Sequence, residues 1–492
     1  MVDAKVAVDA KAAVDAKAAR GWVASFVVVA ALGLVGCVPS LNGNDAREPN
    51  ATLPEHVGQG DDAAASAAAE KWLEFFDAPE LRALIELALE NNQELDIQLQ
   101  EIIIARSEVD ASEGEYLPSV RAEAGAGVEK VGHHTRSGVV DEHLGLPKHL
   151  GEFSFGLAAS WEVDVWKKLR NAAKAADLRY LATIEGRKFV VTQIVAEIAR
   201  SYFELIALDR EIEVLERNVA IQEDALEVVR LQKEAARVTE LAVRRFEAEV
   251  LKSRSRLYDL AQQRVFAENR INFLVGRFPQ RVARDPKKLD EPLPVHPGAG
   301  LPSKLLENRP DVRRARLELE ATKLDVEAAK AAFYPSLGID VGVGYEAFNA
   351  AHLIATPASL AYGVLGRLSA PLLNRKAIAA QYRTANARQV QAVLEYERSL
   401  LQAFTDVHNQ LLALQNLHES YDLQERQVQA LTHSVEVSNV LFQSARADYM
   451  EVLLTRRDSL DAELELIETK TRQLHALVSL YQALGGGWRS TK

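Results

Sequence analysis

The chain has 492 residues, 48% of them apolar and only 7% aromatic, with a formal charge of −12. That apolar content suffices for a core, while the acidity and the lack of a basic cluster with interleaved aromatics exclude nucleic acid as a partner. Beyond residue 36 no run of 18 apolar residues occurs, which excludes an ordinary transmembrane helix.

The first residues repeat Val-Asp-Ala-Lys three times, an unusual leader because it carries acids. An apolar stretch of signal-peptide length follows and ends in Leu34-Val-Gly-Cys37, which resembles the bacterial lipoprotein box. Residues 1–36 read as a signal peptide, Cys37 as the lipidation site, and 37–78 as a lipid-anchored extension. A buried core cysteine is the plainer alternative, but Cys37 lies in no periodic core segment. By the same resemblance Val38, rather than an acid, favours the outer membrane. Lacking a second cysteine, the mature chain forms no internal disulfide.

From residue 79 the chain is written twice. Leu89-Glu-Asn-Asn-Gln-Glu-Leu95 matches Leu306-Glu-Asn-Arg-Pro-Asp-Val312, and Pro118-Ser-Val120 matches Pro335-Ser-Leu337 at the same offset. Each copy reads helix, strand, loop, strand, very long helix, turn, long helix. Residues 79–278 make the first repeat, 279–302 a proline-rich connector, 303–484 the second repeat and 485–492 a tail. The opening helices are predicted over 79–115 and 308–332, the second with Asn308 as N-cap, Pro310 in the first turn and Asp311 at the positive end.

Four segments, 120–130, 153–165, 337–345 and 360–368, alternate apolar and polar residues with period two. That predicts strands with one greasy and one polar face. Over roughly ten residues it is the signature of an outer-membrane barrel strand. The polar side collects small and acidic residues, among them Glu123, Glu129, Glu162 and Asp340, which suit a wet lumen. A soluble two-layer sheet is the plainer reading, and it would need a large apolar partner surface.

Helical seams fill the rest. Ile198, Tyr202, Leu205, Leu208, Ile212, Leu215 and Val219 step by four and three, and so do Leu400 to Leu414 and Leu460 to Tyr481. An average step near 3.5 predicts coiled-coil packing. No proline interrupts 166–278 or 372–492. One helix is predicted over 167–234, on the order of 100 Å long, with a return over 240–275. The short opening helices would stack end to end on the returns, and such two-layer walls make a tube.

A sheet in hydrocarbon must close, because an open edge leaves backbone groups unsatisfied. Four strands cannot close when the smallest membrane barrels have about eight. Two copies would give eight strands and a filled interior; three would give twelve and room for water.

Leu305-Leu-Glu-Asn-Arg-Pro-Asp-Val312, Ala332-Phe-Tyr-Pro-Ser-Leu337, Trp161-Glu-Val-Asp-Val165 and Ala370-Pro-Leu-Leu373 resemble motifs of the outer-membrane efflux (TolC-like) family. The match is to its lipoprotein branch, which serves resistance-nodulation-division pumps. The resemblance implies a mainly α protein with a small membrane β-barrel. A homotrimer would form a 12-stranded outer-membrane barrel continuous with a long periplasmic α-helical barrel. It further implies passive export of small molecules (drugs, toxic compounds or metals) delivered by a periplasmic adaptor (membrane fusion) protein and an inner-membrane pump, in contact with outer-membrane lipid.

The chain departs from the family at the two helix–helix turns, where the usual glycine positions hold Ala236 and Ala445. An acid often found inside the second turn falls on Leu454. Ala236, Glu240, Ala445, Asp448 and Glu451 are the candidates for a periplasmic tip or gate. Asp448 and Glu451 also read as a capping box. Arg244-Arg245 and Arg456-Arg457 flank the turns, with an exposed helix face as the default.

No phosphate loop, zinc-protease pair, nucleophile elbow or Cys-His metal pattern is present, so no enzyme, cofactor or metal centre is expected. His133, His134, Asp141, Glu142, His143 and His149 crowd the first strand–strand loop. Metal capture is the sharper reading there, a solvated surface loop the favoured one. A type I secretion exit duct and a structural coiled-coil envelope lipoprotein are the alternative functions. The second leaves four amphipathic strands without a role.

Overall fold

The structure is a computed structural model that describes residues 38–41, 45–52, 72–291, 308–444 and 446–488. Residues 1–36, Cys37, Ala445 and part of the connector lie outside the described residues. In chain order the elements are α1 (Trp72–Phe75), α2 (Pro79–Asn91), α3 (Gln93–Tyr116), β1 (Ser119–Glu129), α4 (Arg136–His143), β2 (Leu150–Val163), α5 (Lys168–Glu234) and α6 (Glu240–Leu274). A 3-10 turn at Pro286–Leu289, α7 (Pro310–Ala331), β3 (Ser336–Ala347), a 3-10 turn at Ala350–His352, β4 (Leu360–Ser369), α8 (Lys376–Gln443) and α9 (Tyr449–Ala483) follow. Among the described residues there are two compact units, one within 38–48, 103–181 and 317–394 and the other within 49–102, 182–316 and 395–488.

The first unit holds a four-stranded antiparallel sheet in the order β1-β2-β3-β4. Its roots are fixed by tryptophans: Trp161 Nε1 donates to Tyr116 O at 3.0 Å, and Trp166 Nε1 to Pro335 O at 2.8 Å. Both strand-to-helix corners pass through a left-handed residue, Lys167 (φ 60) before α5 and Asn374 (φ 53) before α8. Asp164 then starts α5, its carboxylate accepting from the amides of Leu169 (3.3 Å) and Arg170 (3.0 Å).

In the second unit the predicted seams are the core. Ile198, Tyr202, Leu205 and Leu215 of α5 are fully buried, as are Val478 and Tyr481 of α9, with Phe75 stacked on Tyr481. Burial pushes the Tyr202 hydroxyl up to about 12. The connector is pinned by a half-buried charge cluster, Arg284 with Asp209 and Glu268, and by Lys470 Nζ donating to Glu291 O at 2.8 Å.

Two expected helix starts differ. The helix over 79–115 is two helices, broken at Asn92 (φ −74, ψ 118). The Asn92 carboxamide accepts from Glu94 N–H (2.9 Å) and donates to Leu274 O at the end of α6 (2.6 Å). In the second repeat Arg309, not Asn308, holds the cap position of α7, and Arg313 N–H donates to its carbonyl. The Asn308 carbonyl is taken by Trp488 Nε1 (3.1 Å), while the Arg309 guanidinium reaches Ala483 O at the end of α9 (3.1 Å).

The same junction therefore occurs twice, a helix C-terminus meeting a helix start. Gly276 (φ 70) ends α6 and Gly485 (φ 83) ends α9. A Cβ on Gly276 would overlap the Asn91 carbonyl, and one on Gly485 the Asn308 carbonyl. Left-handed backbone and close approach both demand glycine here.

His475 of α9 donates from Nε2 to the Arg200 carbonyl at 3.0 Å, and burial holds its pKa below the ordinary 6.5. The folded state therefore keeps this ring neutral where the unfolded chain takes up a proton. Stability should fall as pH drops below 6.5. Melting curves at about pH 7.5 and about pH 5.5 should show that loss in the native chain and a smaller one in His475→Gln.

Candidate functional site

Directly opposed residues in an antiparallel pair share a face. The register sets Glu123 against Gly156, Gly156 against Gly344 and Gly344 against Ala361; it sets Ser160 against Asp340 and Glu162 against Gly338. Alternation along each strand then puts Glu123, Glu129, Glu162 and Asp340 on one face of the whole sheet. The other face carries Phe155, Leu157, Trp161, Val341, Val343 and Tyr362 among its apolar residues.

Three of these four acids are paired with a base. Arg121 pairs with Glu123, Arg367 with Asp340 (2.8 Å) and Lys168 with Glu162 (2.8 Å). The sequence reading missed these bases. Arg121 was visible, two residues from Glu123 on the same strand. Arg367 needed the β3–β4 register.

The sheet ends in two open edges, because β1 and β4 each have a neighbouring strand on one side only. All 11 residues of β1 are exposed, as are nine of the ten in β4. Among the described residues no layer covers either face of these strands, which is not how a soluble two-layer sheet is built. Among the described residues no helix is long and apolar enough to cross a membrane.

The helix–helix turns lie together in the second unit. Ala236 adopts φ 57. Its N–H donates to Lys233 O (2.9 Å) and Arg237 N–H to Gln232 O (2.8 Å), the bonding pattern of a Schellman cap. At the second turn Arg446 N–H donates to Leu441 O (2.8 Å) in the same way. Tyr449 and Leu453 pack on the cluster of Val243 and Phe246 beside the first turn. Lys233 and Arg244 contact Glu240 at 2.9 and 2.8 Å and hold its carboxyl below the usual range.

Asp448 occupies the N-cap position of α9, but its side chain caps nothing. Its backbone carbonyl accepts Glu451 N–H instead (3.1 Å), so the expected capping box does not close. Glu451 is exposed in the first turn of α9. Arg456 departs from the exposed-face default. Its Nη2 donates to Asn439 (2.9 Å), while Nε and Nη1 are buried without a partner.

Among the described residues no three His, Cys, Asp or Glu side chains gather to hold a metal. His133 meets Glu142 at 3.3 Å on the surface of its loop.

Residues 84–277 and 301–486 match the family described as outer membrane efflux protein. The chain belongs to this family. OpmQ, the pyoverdine export outer membrane protein of Pseudomonas aeruginosa, is 28% identical over 426 residues, 86% of this chain and 88% of its own. The cation efflux system protein CusC of Escherichia coli O6:H1 is 26% identical over 463 residues, 93% of this chain and 97% of its own. The solved MtrE outer membrane channel of Neisseria gonorrhoeae, in its open state, shares the fold. It superposes with a TM-score of 0.78 at 24% identity, covering 92% of this chain and 98% of that one. This outer membrane efflux protein is thus mainly helical with a small membrane sheet, a channel component of an efflux system rather than a member of an enzyme family.

In this outer membrane efflux protein the left-handed Ala236 bears a steric cost that glycine does not. Ala236→Gly should stabilise the first turn by about 1 kcal/mol. Hydrogen exchange of the amides flanking the turn should slow accordingly.

Proposed function

We propose that this outer membrane efflux protein is the passive exit duct of a three-part efflux assembly. Three copies pool their sheets into a 12-stranded barrel. Its lumen is lined by the face carrying Glu123, Glu129, Glu162 and Asp340, and its apolar face meets outer-membrane lipid. The long helices form a periplasmic tube whose tip carries Ala236, Glu240, Ala445, Asp448 and Glu451, the candidates for gating and docking. Residues 1–36 are removed as a signal, and lipid on Cys37 anchors the mature chain. A periplasmic adaptor protein and an inner-membrane resistance-nodulation-division pump deliver the cargo, and no cofactor takes part.

One observation carries this reading: a sheet amphipathic across all four strands that ends in two unpaired edges. In hydrocarbon such edges must pair. Three copies rather than two leave room for water, and glycines at 125, 127, 156, 338, 342 and 344 keep the polar face shallow. Relatives named for pyoverdine export and cation efflux support a small-molecule cargo. A coiled-coil spacer would use the helices but not this sheet.

The mature protein in detergent should run as a trimer by light scattering and conduct ions in a planar bilayer. Ser137→Cys should react with an impermeant maleimide on intact cells. A non-conducting monomer, or a protected cysteine, would contradict the proposal.

A further inference from the structure

The two loops at one end of the sheet are folded. In 130–149, the Thr135 hydroxyl accepts from Gly138 N–H (3.2 Å) to start α4, and a Cβ on Gly138 would overlap the Gly132 carbonyl. In 348–359, the Asn349 side chain accepts from Ala351 N–H (2.9 Å) and the Ser359 hydroxyl donates to His352 O (2.7 Å). Chain held this way has given up its conformational freedom. It nevertheless displays apolar groups to water: Val140 is 49% exposed, Leu144 66% and Ile354 73%.

Their placement narrows what covers them. Along α4, Val140 and Leu144 lie about 200° and about 240° round from Gly138. They therefore occupy the side of α4 opposite the one packed on the start of the loop, which continues from edge strand β1. Ile354 lies in the loop that leads into β4, the other edge strand. Within one chain the 348–359 loop starts against β2, where a Cβ on Gly151 would lie 2.8 Å from the Phe348 carbonyl. Among the described residues, Val140, Leu144 and Ile354 lack a covering counterpart.

We propose that a second copy of this chain supplies it. Where β4 of one subunit pairs with β1 of the next, Ile354 packs on the Val140–Leu144 stripe of that neighbour and clasps the two subunits beyond the barrel end. The inference rests on the trimeric barrel proposed above. Ring order makes the match: β4 is followed by the next copy's β1, so each 348–359 loop is followed by a neighbour's 130–149 loop. Lipid is the poorer occupant. The strands have 10 to 14 residues, enough for the roughly 9–11 that cross a bilayer, so the loops stand clear of hydrocarbon.

The test pairs Val140→Cys with Ile354→Cys in the full-length protein, treated in isolated outer membranes with a short bismaleimide. The double variant should give covalent dimers and trimers on a denaturing gel, and neither single variant should. A double variant that is trimeric by light scattering but does not cross-link overturns the clasp and leaves the barrel standing. A cysteine at 354 quenched by spin-labelled lipid likewise overturns it in favour of a lipid contact. A native chain that is not trimeric overturns the barrel and the clasp together. As a second reading, Ile354→Glu should lower the temperature at which the trimer dissociates, and an unchanged temperature counts against the clasp.

Discussion

A backbone N–H or C=O left without a partner in hydrocarbon costs several kcal/mol, and nothing in a lipid interior can supply the missing bond. This sheet carries two such rows, along the outer sides of β1 and β4. In water they would template aggregation; in a membrane they demand closure. The other features of the sheet agree with that demand: an apolar face continuous across four strands, a polar face of glycines and charges, and outer strands exposed along their length. A chain built to be complete by itself would not leave all three unprovided for.

The duplication shows how the closure is specified. Each repeat contributes one hairpin, and β2 of the first pairs with β3 of the second. That internal joint, between the last strand of one repeat and the first strand of the next, is the joint the proposed barrel needs between β4 and a neighbour's β1. One chain thus contains a worked example of its own assembly contact. The helical part repeats in the same way. Asn91 against Gly276 and Asn308 against Gly485 are one junction made twice, and the repeated Leu-Glu-Asn motif is its sequence trace.

Much of this was legible in the sequence because it is periodic. Period two located all four strands to within a few residues, and the step of four and three located the seams that prove buried. What escaped was non-local. The break at Asn92 depends on a carbonyl 182 residues away, and Arg309 displaces Asn308 from the cap because the Asn308 carbonyl is engaged by Trp488. Pairing of Asp340 with Arg367 required the strand register, and the buried guanidinium of Arg456 required the packing of the second hairpin. Asp448 was misread for the opposite reason. Its local spacing fits a capping box, but its own backbone carbonyl competes successfully for the Glu451 amide.

The most direct test is hydrogen exchange at the edges, read peptide by peptide in the assembled protein. Among the described residues, amides on the outer sides of β1 and β4 have no partner strand within one chain. If copies of the chain share one closed sheet, those amides should be protected to the same degree as the amides shared by β2 and β3. Exchange of those outer-side amides at the rate of free peptide, with the amides shared by β2 and β3 protected, would show that the edges stay open and would contradict the account.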